Sequence, residues 1–130
     1  MEINWLAVIA AAASSFLLGG VWYAALFAKA HQRAAGLSDE QVRGGNPGLI
    51  FGGSFVLALI ASASFAVFLG GQADAMTGAL YGFTAGLCWV TASFGINYLF
   101  ERKNLTLFLI NGGYHTLQFT LIGLILGAWH

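Results

Sequence analysis

Charged residues are scarce in this sequence. Lys, Arg, Asp and Glu make up 8% of the 130 residues, whereas hydrophobic residues make up 58%. Soluble domains have about a quarter of their residues charged, so the composition excludes an ordinary water-soluble domain and indicates a chain embedded in a lipid bilayer. The net charge is zero, which gives no general attraction to nucleic acid, and we expect no nucleic-acid partner.

Residues that could form disulfides or metal sites are also scarce. The single cysteine, Cys88, excludes an intrachain disulfide and a cysteine-based metal cluster. The three histidines, His31, His115 and His130, fall at different depths relative to the apolar runs and cannot converge on one metal ion. We therefore expect no metal and no cofactor.

Four apolar runs, at residues 3–27, 49–69, 75–100 and 105–129, dominate the sequence. Each has the length of about 20 residues that a membrane-spanning helix needs. Backbone polar groups in lipid must be paired internally, so each run is expected to be a helix. The sequence therefore predicts one domain over residues 1–130, an all-α integral membrane four-helix bundle.

The longest connection, residues 28–48, contains a helix start signal. Ser38 and Gln41 have the Ser-x-x-Gln spacing of a capping box, and Gly44 and Gly45 are typical of a helix end. This pattern predicts a short amphipathic helix in the first cytoplasmic loop, with its basic residues on lipid phosphates. The alternative is that the loop binds a substrate.

All five basic residues fall on one side of the predicted membrane. Lys29, Arg33 and Arg43 follow the first apolar run, and Arg102 and Lys103 follow the third. Lys and Arg are retained on the cytoplasmic face during insertion. The sequence therefore predicts that both termini lie outside and that both basic segments lie in the cytoplasm.

Small residues recur at helical spacing in the apolar runs, a pattern that membrane helices use for close packing. The third run has a doubled G-x-x-x-G motif, and the fourth run has glycines interspersed with threonines. The glycines predicted to pack helix against helix are Gly78, Gly82, Gly86, Gly113, Gly123 and Gly127.

Polar residues form a second pattern in the last two runs. Asn111, His115 and Gln118 are spaced four and three apart, which places them on one face of a helix. Ser93 and Asn97 are expected to continue the glycine face of the third run toward the cytoplasm. The candidate polar pathway comprises Ser93, Asn97, Asn111, His115 and Gln118, and its cytoplasmic mouth comprises Glu101 and Arg102.

His115 has two interpretations. It is expected near the middle of the membrane, where ionisable groups are costly and often functional, and histidine exchanges protons near neutral pH. The first interpretation is a proton relay that matters for activity. The second is a neutral histidine in the core, hydrogen-bonded to Asn111, Gln118, or Ser14 and Ser15.

Several segments resemble a known family. They are Asn4-Trp5-Leu6-Ala7, Gly19-Gly20-Val21-Trp22-Tyr23-Ala24-Ala25-Leu26-Phe27, Gly36-Leu37-Ser38, Phe100-Glu101-Arg102-Lys103 and Asn111-Gly112-Gly113-Tyr114-His115. Together they resemble a bacterial family of small four-span membrane proteins classed as a domain of unknown function. The resemblance implies a multi-pass protein of the inner membrane, and no activity or substrate. Family members often have Gly-Pro after Trp-Tyr, where this chain has Ala24-Ala25.

Three function classes remain open. The preferred class is a transporter or channel with a polar path near His115, and it is expected to be homo-oligomeric because four short spans enclose little volume in one copy. Another is a non-transporting membrane assembly or accessory module, in which the same polar residues link helices. A membrane enzyme acting on a lipophilic substrate is least favoured, because no acid, base and arginine set converges in the runs. The expected partners are the lipid bilayer and further copies of the chain.

Overall fold

The computed structural model describes residues 2–130, and these are all-helical, with no strand among them. Two of the helical segments are π-helical and continue the helices before them. In chain order the segments are α1 (Trp5–Gly20), a first π-helical segment (Val21–Leu26), α2 (Ala28–Ala35), α3 (Asp39–Arg43), α4 (Pro47–Leu69), α5 (Ala75–Thr84), a second π-helical segment (Ala85–Thr91), α6 (Ala92–Glu101) and α7 (Leu105–Ala128).

The long helices begin at side chains that cap them. Asn4, Asn46, Asp74 and Asn104 precede α1, α4, α5 and α7, and each side chain accepts a hydrogen bond from a backbone N–H three residues on. Such a bond satisfies one of the unpaired donors of a first helical turn. These short polar residues therefore set where each apolar helix starts.

The predicted capping box is present in the first loop. Ser38 Oγ accepts from the N–H of Gln41, and Gln41 Oε1 accepts from the N–H of Ser38. This short helix, α3, ends at Arg43, as the following glycines indicate. A second helix, α2, precedes it and was not predicted. It ends at Ala35 and is followed by Gly36, which adopts the left-handed conformation that glycine accommodates without strain.

Three helical segments are long and apolar enough to cross a membrane: Trp5–Leu26, Pro47–Leu69 and Ala75–Glu101. The fourth long helix, α7, has 24 residues but is not one of the three. At ~1.5 Å per residue it is long enough, and polar Asn111, His115 and Gln118 lower the hydropathy of its middle. The fourth crossing and the orientation therefore stay predictions.

The polar middle of α7 lies among the other helices. α7 contacts α1, α4 and α5. Its Ile122 and Leu126 join Val8 and Phe65 in the apolar core. α7 is therefore the central helix, and its side chains meet protein on several sides.

The backbones of α5 and α7 approach each other closely along a line of glycines. A Cβ atom at Gly78 would overlap the carbonyl of Gly123, and one at Gly82 would overlap the carbonyl of Phe119. We call this line, formed by Gly78, Gly82, Gly86, Gly123 and Gly127, the glycine seam. Gly113 lies elsewhere: a Cβ atom there would be 2.9 Å from Cζ2 of Trp22.

The second π-helical segment changes which residues face α7 beyond the seam. In a regular α-helix, residues 93 and 97 would follow Gly86 on the same face. A π-helical turn bonds residue i to i+5 and so adds about one residue. The face continues instead at Thr91, whose Oγ1 donates to the carbonyl of Gly112 at 3.0 Å, and at Gly95, which lies against Phe108.

Ser93 and Asn97 are consequently exposed on the outside of the protein. The structure does not place them on the glycine face, contrary to the sequence expectation. The physical reason is the extra residue in the π-helical turn, which rotates everything after it relative to the seam.

Candidate functional site

A network of polar and aromatic side chains surrounds the middle of α7. It has two branches that meet where the rings of Tyr23 and Tyr114 pack, with centroids 5.2 Å apart. The serine branch consists of Ser15, Tyr114, His115 and Gln118. The asparagine branch consists of Tyr23, Tyr98 and Asn111.

The serine branch joins α1 to α7 through Gln118. Its Nε2 donates to Ser15 Oγ at 2.6 Å, and its Oε1 lies 2.6 Å from Nδ1 of His115. Because the amide oxygen can only accept, Nδ1 of His115 is the donor in this pair. The hydroxyl of Tyr114 donates to the carbonyl of Ser15 at 3.0 Å. Ser15 and Gln118 are buried, so these bonds satisfy groups that water does not reach.

His115 is held by aromatic rings as well as by Gln118. Its ring stacks on Phe94 with centroids 4.9 Å apart and planes 16° apart, and Tyr114 meets it edge-on. Of the partners considered from the sequence, Gln118 bonds His115 directly, Ser15 lies one bond further, and Asn111 is engaged elsewhere.

The asparagine branch joins the first π-helical segment to α6. Asn111 Oδ1 accepts from the hydroxyl of Tyr23 at 2.6 Å, and its Nδ2 donates to the hydroxyl of Tyr98 at 2.7 Å. The neighbouring Trp22 donates from Nε1 to the carbonyl of Ile110 at 2.8 Å. π-Helical turns recur at functional sites, and here both turns supply side chains that bond α7.

Sequence reasoning missed the tyrosines of this network and Thr91. Tyr23, Tyr98 and Tyr114 are not among the predicted site residues, yet each bonds a polar group of another helix. The available signal was that buried tyrosine hydroxyls seek hydrogen-bond partners. All four tyrosines lie within apolar runs, so each was a candidate partner for the polar groups there.

The remaining members of the predicted pathway lie apart from the network. Ser93 Oγ donates to the carbonyl of Trp89 in its own helix, and Asn97 is exposed. Both line a shallow outer groove with Trp89 and Phe94. That groove contains neither His115 nor Gln118 in its lining. The predicted mouth residues Glu101 and Arg102 are exposed at the turn before α7, where Arg102 adopts a left-handed conformation with φ 57°.

A cavity of about 410 Å³ adjoins both branches. It lies between α1, the first π-helical segment, α4 and α7. Ser15, Tyr23, Ser54 and Tyr114 supply its polar groups, and Phe16 and Phe51 belong to its apolar side. Both branches of the network therefore meet open space here.

Two titratable groups next to the apolar helices have shifted pKa values. His31 in α2 packs its ring on Tyr23 with centroids 4.9 Å apart, and burial lowers the pKa of His31 below 6.5. At the other end of the protein, hydrogen bonding from the N–H of Thr77 lowers the pKa of Asp74. Within residues 2–130, no three His, Cys, Asp or Glu side chains are placed to hold a metal ion.

The family model described as "Protein of unknown function (DUF1761)" matches residues 6–127, nearly the whole chain. No curated protein and no solved structure gives a significant match.

Proposed function

The chain belongs to the DUF1761 family of proteins of unknown function, and we propose from its own geometry that it is a self-associating membrane assembly module that does not transport. The observation that carries this proposal is the pairing of the α7 polar groups with one another and with α1 inside one copy. Ser93 and Asn97, by contrast, face outward.

The proposed module crosses a bacterial inner membrane four times with both termini outside. Three apolar helices and the length of α7 support four crossings. Hydrogen bonding of Asn111, His115 and Gln118 supports the fourth, because paired polar groups make a helix compatible with a bilayer interior. The confinement of all five basic residues to two segments supports the orientation.

The arrangement of His115 favours a structural role over a transport path. A transport path through one copy would bring His115 and Asn97 to one water-accessible cavity. Instead, both ends of the Gln118 amide are engaged, and His115 stacks on Phe94. Side-chain hydrogen bonds of this kind link helices in membrane proteins.

The outer groove is the proposed surface for self-association. Trp89, Ser93 and Asn97 are exposed there. An amide facing acyl chains without a partner is unfavourable. A second copy presenting the same surface would supply an amide for Asn97, as a two-fold symmetric interface does.

The experiment measures association in bilayers. Copies carrying Ser38→Cys in a Cys88→Ala background are labelled with donor or acceptor dyes, reconstituted at low density, and assayed for energy transfer. We expect energy transfer above the random level in the wild type and a large loss of transfer with Asn97→Leu. The matched control Ile96→Leu changes an exposed apolar neighbour and should leave the transfer unchanged. Random transfer throughout, or an unaffected Asn97→Leu variant, would remove the proposed interface.

Transport is tested on the same proteoliposomes. We expect no proton flux above that of empty vesicles under an imposed pH gradient. A flux that disappears with His115→Phe would favour the transporter alternative instead.

Orientation is tested with single cysteines introduced into the Cys88→Ala variant. A membrane-impermeant thiol reagent should label His130→Cys in cells with a permeable outer membrane and an intact inner membrane. It should label Ser38→Cys only after the inner membrane is opened. The reverse pattern would place the termini in the cytoplasm.

A further inference from the structure

The cavity beside the network has the size of a small-molecule site. Its volume of about 410 Å³ lies within the range of about 300–1,000 Å³ typical of ligand pockets. The rings of Phe16 and Phe51 meet edge to face, with centroids 6.0 Å apart. Gly20 keeps one side open, because a Cβ atom there would have no neighbour within 4 Å.

The cavity opens on the outer surface of the protein. Gly20, Ala24, Phe51 and Ser54 belong to its lining and are exposed. In a protein that spans a membrane, this surface faces acyl chains. A ligand would therefore enter from the lipid phase, which requires a lipophilic molecule.

The polar side of the cavity offers acceptors rather than donors. The hydrogen of the Tyr114 hydroxyl is used by the carbonyl of Ser15, and that of Tyr23 by Asn111. Ser15 Oγ already accepts from Gln118 and lies 3.3 Å from the Tyr114 hydroxyl, to which it can donate. A hydroxyl has one hydrogen and two lone pairs. Ser54, the other hydroxyl of the lining, donates to the carbonyl of Ile50 at 2.6 Å. The hydroxyl oxygens of the cavity therefore retain lone pairs and no free hydrogen.

Charge narrows the ligand class further. The lining residues include no Asp, Glu, Lys, Arg or His. A charged group brought there would lose its hydration without gaining a counter-ion. The chemistry that fits is a neutral, lipophilic hydrogen-bond donor.

We propose that this cavity binds a neutral lipophilic alcohol or phenol, which donates its hydroxyl to the oxygen of Tyr114 and places its apolar body against Phe16 and Phe51. The site belongs to a single folded copy, so it does not depend on self-association.

The probe is 1-naphthol, and its matched comparison is 1-methoxynaphthalene, which keeps the rings but lacks the donor. Binding is followed in nanodiscs by the NMR shift of the ring carbon bearing the hydroxyl in ¹³C-labelled tyrosine. We expect saturable binding of 1-naphthol, about 2- to 10-fold tighter than that of the ether, the ratio that one net hydrogen bond gives. In Tyr114→Phe, the affinities for 1-naphthol and 1-methoxynaphthalene should become equal. Binding to this variant is followed by the NMR shift of Tyr23.

Two glycine variants locate the site. Gly20→Leu should fill the cavity and abolish saturable binding, while Gly52→Leu should bind as wild type. Neither added Cβ atom would meet a neighbour within 4 Å, so both variants should fold. If the wild type bound 1-naphthol and its ether with equal affinity, apolar contacts alone would account for binding. That result would overturn the proposal. So would unchanged binding in Gly20→Leu, or shifts that never saturate.

Discussion

Gly82→Ala should destabilise the protein, although it adds one methyl group. The new Cβ atom would overlap the carbonyl oxygen of Phe119 and lie 2.7 Å from its carbonyl carbon and 3.2 Å from Cα of Thr120. All three neighbours are backbone atoms, so no side-chain rotation relieves the overlap. Relief requires α5 and α7 to move apart, which would also loosen the adjoining contacts at Gly78 and Gly123.

The magnitude follows from two opposing effects. Inserting extra methylenes into a packed site costs about 1–3 kcal/mol of unfolding free energy. Replacing glycine by alanine inside a helix stabilises the folded state by about 0.5–1 kcal/mol, because the unfolded chain then has lower conformational entropy. The control Gly52→Ala has the second effect alone, because its Cβ atom would meet nothing within 4 Å. The difference between the two variants isolates the overpacking, and we expect about 1–3 kcal/mol.

The assay is equilibrium unfolding in mixed micelles, with helix content followed by circular dichroism. We expect Gly82→Ala to have its unfolding midpoint at a lower denaturant concentration than wild type. Gly52→Ala should have its midpoint at an equal or higher concentration. Gly82→Leu should shift the midpoint further in the same direction. Coincident midpoints for Gly82→Ala and Gly52→Ala would refute the close approach of α5 and α7.

The same assay checks three further variants. Ser62→Ala should stabilise the protein by about 1 kcal/mol, because within residues 2–130 the buried Ser62 Oγ has no hydrogen-bond partner; a lower midpoint would contradict this. Gln118→Leu should cost about 1–3 kcal/mol, because Ser15 and His115 both lose a partner, and a midpoint equal to wild type would count against the serine branch. His31 has a lowered folded-state pKa, so the unfolded chain binds the proton more readily and stability falls as pH drops below about 6.5. His31→Gln should lose less stability than wild type between pH 7.5 and 5.5, and equal losses would contradict this.

Much of the secondary structure follows from local sequence signals. The composition identifies a chain embedded in lipid, because so few charged residues cannot cover the surface of a water-soluble domain. The helical class then follows, because backbone polar groups in lipid must be paired internally. The capping box at Ser38 could be predicted from the sequence, because its two hydrogen bonds join residues three apart. The polar row of α7 could also be predicted from local sequence, because helical periodicity alone places Asn111, His115 and Gln118 on one face of a helix.

The sequence by itself thus determined the helical class, the starts of α3, α5 and α7, and the polar row on α7, all of which depend on residues close in the chain. Tertiary structure decided the partners of that row, because Ser15, Tyr23 and Tyr98 reach it from other helices. It also decided which residues face α7 beyond the glycine seam. A π-helical turn adds one residue to the period, so Thr91 and Gly95 face inward while Ser93 and Asn97 face outward. Regular periodicity carries no sign of that added residue, and only the packed helices reveal it.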